Sequence, residues 1–147
     1  MSTEEAALYR KRFFKTYPGL KRWHEHERRA WLRGATETRT LTGRRRMSVE
    51  KLTDRLNAPV QGTGADGLKL ALVLLWERRD ECPGAVPVLV CHDEVVVECD
   101  AEQAAAAKAW LERVMIEGMD AVMNGTGKTS VPVEVDARIA RSWSEGG

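Results

Sequence analysis

His92-Asp93-Glu94 is the place in this sequence where residue types and spacing best suit chemistry. The three residues interrupt two apolar, β-branched runs, Val86 to Cys91 and Val95 to Cys99. Two such runs joined by three residues predict a β-hairpin. Period two then puts Asp93 with Val95, Val97 and Cys99 on one side of a strand, and Glu94 with Val96, Glu98 and Asp100 on the other. An acid on the core side, next to a second acid, is costly, because like charges raise each other's pKa unless a cation sits near them. A hard divalent cation such as Mg²⁺ supplies that charge, using one or two carboxylates plus substrate phosphates. A tight turn explains the same Asp and His without a metal.

Two other clusters carry chemical potential. Asn57 and Gln61 are four apart beside a helix entry, in Asn57-Ala58-Pro59-Val60-Gln61-Gly62-Thr63-Gly64. Their amides suit base edges or sugars in a minor groove; ordinary helix capping is the alternative. Gly43-Arg44-Arg45-Arg46 offers guanidinium forks for phosphate oxygens, and affinity without sequence preference. A solvated charge run is the alternative. The charge balance frames this choice. Residues 1–58 hold 15 Lys/Arg against 7 Asp/Glu, while residues 59–147 hold 8 against 15. The total of +1 therefore hides one half at +8 and another at −7. Such asymmetry suggests that one half meets a polyanion.

These residues need elements to hold them. Ser2-Thr3-Glu4-Glu5 has the spacing of a capping box, and a helix to about Thr16 should follow, with Leu8, Tyr9, Phe13 and Tyr17 as its apolar spacing. Pro18-Gly19 breaks it. A second helix runs from Leu20 to Arg33, with Leu20, Trp23, Glu27, Ala30 and Trp31 near one stripe and Gly34 as C-cap. Residues 35–46 read as an extended ribbon or loop. A short helix fits 48–57 and stops at Asn57-Ala58-Pro59, because proline disfavours a helical residue before it. An apolar helix over 63–79 is expected to be deeply buried. Val86 to Cys91 reads as a strand covered on both faces. Asp100 and Gln103 suggest a second capping box, opening a helix to about Met123 with Leu111, Met115, Met119 and Val122 inside. A last strand is expected within Val131 to Ile139, with Trp143 packed near the end. Helices, hairpin, helix and strand in that order predict an α+β fold with an antiparallel sheet.

Other classes fall away. A chain of 147 residues is one domain by length and can bury its own core. No apolar run approaches the roughly 20 residues that span a bilayer. Met1 to Glu5 is polar and acidic, unlike a signal peptide. Cys82, Cys91 and Cys99 are odd in number and lack metal-site spacing, so they read as reduced, buried thiols of a cytoplasmic protein. Gly125-Thr126-Gly127-Lys128-Thr129 imitates the end of a phosphate-binding loop, but position 122, where the motif needs glycine, is Val.

Taken in order, several stretches carry a family resemblance: Phe13-Phe14-x-x-Tyr17-Pro18-Gly19; Thr42-Gly43-Arg44-Arg45-Arg46; Asn57-x-Pro59-Val60-Gln61-Gly62-Thr63-x-Ala65-Asp66; Val90-x-His92-Asp93-Glu94-x-Val96-x-Glu98; and Val131-Pro132-x-Glu134-Val135. Together they resemble the C-terminal part of the family A DNA polymerases, the bacterial polymerase I type. Each motif alone is weak. Their joint order and separation is specific, and it covers almost the whole chain.

The resemblance implies roles. Asp93 would be one of two metal-holding aspartates of a two-metal nucleotidyl-transfer site, with Glu94 supporting it and Mg²⁺ as the metal. His92 would contact the primer terminus. Gln61 and Asn57 would touch the primer–template near its end, and Arg44, Arg45 and Arg46 would lie near the nucleic-acid backbone. Residues 1–58 would be distal fingers helices with a basic loop. Residues 59–147 would be part of the palm, with the hairpin in an antiparallel palm sheet packed against helices. The family usually has a longer helix before its Asn than 48–56 provides, which leaves Arg55 without an assigned role.

Residues 1–40 carry no substitute for the family's other catalytic aspartate or for its nucleotide-gripping helix. The expectation is a fragment, split-gene half or remnant that does not polymerise alone and that binds dNTP only in a complete enzyme. It would work in replication or repair in a bacterial or phage cytoplasm, away from membranes, on primer–template DNA and with a missing upstream segment or partner chain. The alternatives are a catalytically dead DNA-binding remnant, a split-polymerase subunit, or a truncated piece whose apolar surfaces seek a partner.

Overall fold

The computed structural model describes residues 2–125 and 131–146. Helices alternate with two small antiparallel sheets, an α+β arrangement. The chain divides into two compact units, Met1–Val60 and Gln61–Gly147.

The first unit opens with α1 (Thr3–Thr16). The capping box forms: the Ser2 hydroxyl accepts from the Glu5 N–H at 3.2 Å, and the Ser2 N–H donates to Glu5 Oε2 at 2.6 Å. No residue of α1 is buried, so its apolar spacing does not mark a core face. Helix α2 (Pro18–Leu32) takes proline in its first turn, where a missing N–H costs nothing. Its inner stripe holds Leu20, Trp23, Glu27 and Ala30, with Ala30 fully in the core and Trp31 at the margin. Gly34 ends it at φ +81°, a conformation that favours glycine, and the Ala35 N–H reaches back to the Ala30 carbonyl at 3.1 Å. The ribbon then forms a minimal hairpin, β1 (Thr38–Arg39) with β2 (Arg45–Arg46), pairing Arg39 with Arg45. Val49 plugs the unit's core, and its N–H donates to the Thr36 carbonyl at 2.8 Å.

The helix break expected at Pro59 does not occur. A single helix, α3, runs Leu52–Glu77 with Pro59 inside it. Proline has no N–H to give the Arg55 carbonyl and usually breaks a helix there. Tertiary contacts of the preceding turn offset that loss. Arg55 is buried, its Nε 2.6 Å from Glu27 Oε2, and its Nη1 donates to the Ala35 and Glu37 carbonyls at 3.1 and 2.7 Å. Ala58 is buried beside the proline.

In the second unit α3 is not buried all round. One stripe, Thr63, Gly67, Ala71 and Leu75, faces inward, while Val73 and Trp76 are exposed. That stripe meets α4 (Ala104–Asn124) at very short range. A Cβ added to Gly118 would lie 2.7 Å from the Ala71 Cα, and one added to Gly67 would lie 2.5 Å from Met119 Sδ. Small residues let the helices touch backbone to backbone. The inner stripe of α4 is therefore Ala107, Trp110, Leu111, Val114, Gly118 and Val122; Met115 and Met119 sit at its edge. Two ion pairs link the ends: Arg78 forks onto Glu117 at 2.5 and 2.6 Å, and Arg113 reaches Glu81 at 2.7 Å.

Asp100 makes no side-chain cap. A 3₁₀ turn, Ala101–Gln103, tightens the entry to α4, so the Gln103 N–H bonds the Asp100 carbonyl at 2.9 Å. The Gln103 side chain lies against Gly84 instead. The final strand is also absent. Residues 131–140 have no sheet pairing, although Val133, Val135 and Ala137 alternate as half-buried positions in the manner of a strand. Alternation alone does not make a strand without a neighbour to complete the ladder. The Ala137 N–H goes to Glu112 Oε1, and the Val131 N–H to Asn124 Oδ1. Trp143 starts a short exposed helix, Trp143–Gly146 (α5), rather than packing inward. The phosphate-loop imitation at 125–129 lies almost entirely outside the described residues. Cys82, Cys91 and Cys99 are free thiols; only Cys82 is fully buried.

Candidate active site and nucleic-acid contacts

The predicted hairpin forms from β3 (Val86–Cys91) and β4 (Glu94–Glu98), with Cys91 opposite Glu94. His92 and Asp93 are thus the two central residues of the turn. Strand β4 anchors it: Val95 is in the core, and Val97 and Cys99 pack against that core. Strand β3 is not covered on both faces; Val86, Val88, Leu89 and Val90 are 40–55% exposed. Its apolar run reflects a strand of a sheet that is only two strands wide among the described residues.

Asp93 is exposed at the turn, not on the core side. Period two applies within a strand, and Asp93 lies one residue outside it. Glu94 begins β4 on the side opposite Val95 and is exposed as well. His92, Asp93 and Glu94 are therefore all exposed at the tip. The backbone there does not follow from the residue types. His92 has φ +56°, while Asp93 stays at negative φ. A positive φ at the first central position of a two-residue turn is a conformation that normally takes glycine. Strain of this kind persists where the surrounding structure enforces it. Among the described residues no group of three His, Cys, Asp or Glu side chains comes together as a metal cage.

Asn57 and Gln61 are four residues apart on α3, hence on the same face of that helix, and both are exposed.

The arginine triplet is split by its strand. Arg45 pairs with Glu37 through a very short contact, and Arg39 binds the same carboxylate at 2.9 Å. Hydrogen bonding from Arg45 is the main cause that holds the Glu37 carboxyl below its ordinary range. Arg44 and Arg46 are exposed, with the Arg44 N–H bonded to Thr40 Oγ1 at 3.1 Å. Sequence spacing gave no sign of the Glu37 clasp, although an acid within a basic ribbon was the available signal. Arg55 is not a surface group. Its charge is spent inside the first unit on Glu27 and two carbonyls.

Comparison with known proteins gives these positions a context. The family model described as DNA polymerase family A matches residues 1–145. DNA polymerase I of Aquifex aeolicus is 39% identical over 99% of this chain and 25% of its own length. The thermostable DNA polymerase I of Thermus thermophilus is 36% identical over 95% of this chain and 17% of its own. DNA polymerase I of Pseudomonas aeruginosa is 32% identical over 97% of this chain and 16% of its own. The chain thus spans a quarter or less of the length of these relatives. No helix among the described residues is long and apolar enough to cross a membrane. With the match running from the first residue through the hairpin and beyond, the chain belongs to DNA polymerase family A.

Proposed function

We propose that this chain is part of a template-directed DNA polymerase and supplies one carboxylate corner of its nucleotidyl-transfer site. The observation that carries the reading is the His92-Asp93-Glu94 tip. It is an exposed, backbone-strained turn fixed to a core strand, in a chain that matches the family over residues 1–145. Asp93 is the metal-holding residue in this reading, and Glu94 supports it. Their oxygens are the hard donors that Mg²⁺ takes one or two at a time beside substrate phosphates. When bound, Mg²⁺ supplies positive charge for the attacking 3′-oxygen and the leaving pyrophosphate. The two carboxylates fit such an ion, but two ions need further donors, which the described residues do not gather. The chain therefore does not extend primers by itself, and dNTP binds only where the rest of the site is supplied.

His92 sits at the primer terminus in this reading. Gln61 and Asn57, on one face of α3, hydrogen-bond the primer–template. Arg44 and Arg46 take backbone phosphates, and Arg45 joins them by exchanging Glu37 for phosphate. Residues 1–58 act as distal fingers and 59–147 as part of the palm, in a cytoplasmic replication or repair enzyme.

A second reading, a DNA-gripping module without catalysis or a subunit of a split polymerase, is favoured by the incomplete donor set. One titration addresses both. Primer–template binding is followed by fluorescence anisotropy with and without Mg²⁺, for wild type, Asp93→Ala and Arg44→Gln/Arg46→Gln. Salt-dependent binding is expected, unchanged in Asp93→Ala, with the log–log salt slope reduced by about 2 in the arginine variant. Absent or salt-insensitive binding at low salt overturns the DNA-binding part. Adding a separately made upstream polymerase segment should then restore primer extension to wild type but not to Asp93→Ala; no extension with either protein leaves the non-catalytic reading.

A further inference from the structure

The basic half of the chain has a second feature that the hairpin and the arginine ribbon do not use. From Ala6 to His24 there is no Asp or Glu, yet there are six cations: Arg10, Lys11, Arg12, Lys15, Lys21 and Arg22. All six are exposed. Interleaved with them, Tyr9, Phe13 and Tyr17 follow at four-residue spacing, which is one line along α1. They are 60%, 47% and 54% exposed. Phe13 and the C-cap residue Tyr17 lie ring to ring at 5.0 Å, so these two form a joined aromatic surface, with Tyr9 one turn before them. Helical geometry puts Arg12 on one flank of the line and Arg10 on the other. Arg10 lies over the Phe14 ring at 5.7 Å, which holds its guanidinium beside the aromatic line.

An exposed aromatic row between flanking arginines has the two parts that bind unpaired nucleotides: flat faces for bases and cations for the phosphates between them. An apolar protein partner would be served by the rings alone and has no use for the exposed cations around them, of which Lys21 alone pairs with an acid among the described residues, Glu25 at 3.8 Å. A duplex offers no free base faces to the rings. We propose that the Tyr9-Phe13-Tyr17 face of α1 is a binding surface for single-stranded nucleic acid, separate from the primer–template contacts assigned above. The inference does not depend on Asp93, Gln61 or the arginine ribbon.

The probe is fluorescein-labelled dT12 at low salt, with a duplex of equal length in parallel, titrated with the 147-residue chain and with Tyr9→Ala/Phe13→Ala/Tyr17→Ala. The triple variant is expected to weaken dT12 binding by at least fivefold, the effect of about one lost base stack. Duplex binding should stay within about twofold. Arg10→Gln/Arg12→Gln should lower the dT12 salt slope by about 1.4. Circular dichroism checks that each variant is folded, and Tyr9→Ala alone serves if the triple variant is not. Equal dT12 affinity in wild type and the aromatic variants overturns the proposal, as does a failure of wild type to bind dT12 at all. Equal loss of dT12 and duplex binding also overturns it, since it would mean the face is not selective for unpaired bases. Loss of duplex binding in Arg44→Gln/Arg46→Gln with dT12 binding intact separates this surface from the polymerase reading.

Discussion

Arg55 and Glu27 meet inside the first unit with Nε and Oε2 2.6 Å apart and both side chains almost wholly buried. The N–H does not lie along that line, so the contact is an ion pair more than a hydrogen bond. The same arginine ties down the carbonyls that lead into the β1–β2 hairpin. Removing one charge leaves the other buried and uncompensated, a loss of about 3 kcal/mol or more. Glu27→Ala should therefore lower stability by that amount in urea denaturation followed by tryptophan fluorescence. Glu27→Leu/Arg55→Met should recover much of it, less the two carbonyl bonds. If the double variant is as unstable as the single, charge burial is not the cause.

Gly118 lies against the Ala71 backbone with no room for a methyl group. Neighbouring atoms at 2.7 Å belong to main chain, which cannot rotate away. Gly118→Ala should destabilise the second unit by about 2 kcal/mol, despite the better helix propensity of alanine. Gly64 on α3 has nothing within 4 Å of an added Cβ. Gly64→Ala is the control, expected to be neutral or stabilising in thermal melts.

His92 is held at a glycine-like φ. His92→Gly should release strain worth more than the added freedom of glycine in the unfolded chain, a net gain of about 1 kcal/mol. A melting temperature higher by ~3 °C is the expected reading. DNA extension by the reconstituted enzyme should fall in the same variant. A more stable and less active protein would show that the turn is shaped for its role and not for the fold.

Stability at low pH should depend on Glu117. Its carboxyl is held below the ordinary 4.5, chiefly by the hydrogen bonds from Arg78. A depressed carboxylate pKa stabilises the fold above the unfolded value and loses that contribution as pH falls through the folded one. Glu117→Gln should flatten the stability profile below about pH 4.5 and leave the shape of the curve between pH 6 and 8 unchanged. An identical acid slope in wild type and variant would assign the acid sensitivity elsewhere, with Glu37 as the next group to replace.

Much of this was legible in the residues. The Ser2–Glu5 box, the Gly34 stop and the turn at His92-Asp93 follow from local rules, because each is settled by a few neighbouring atoms. Pro59 misled for the same reason: local preference ends a helix there, and contacts of Arg55 from eighteen or more positions away keep it going. Glu27 within an otherwise apolar stripe was a sign of that pair. Gly67, Ala71 and Gly118 carry the tight crossing, and small residues four apart on α3 were the available signal. The strand expected within Val131 to Ile139 does not form, because a strand also needs a partner, and one sequence segment does not disclose its partner. At the hairpin tip the residue types were legible, while the placement of Asp93 outside the strand was not.

The crossing of α3 and α4 has a mechanical consequence. Most helix pairs are separated by side chains that can change rotamer and let one helix slip past the other. Here main chain rests on main chain, and a close-packed contact of that kind has little compliance. Gln61 stands on α3, and Leu75 of the same helix shares its core with Val95, which sits just behind the hairpin tip. The Gln61 end and the carboxylate tip thus ride on one stiff frame, and a displacement of either carries the other with it.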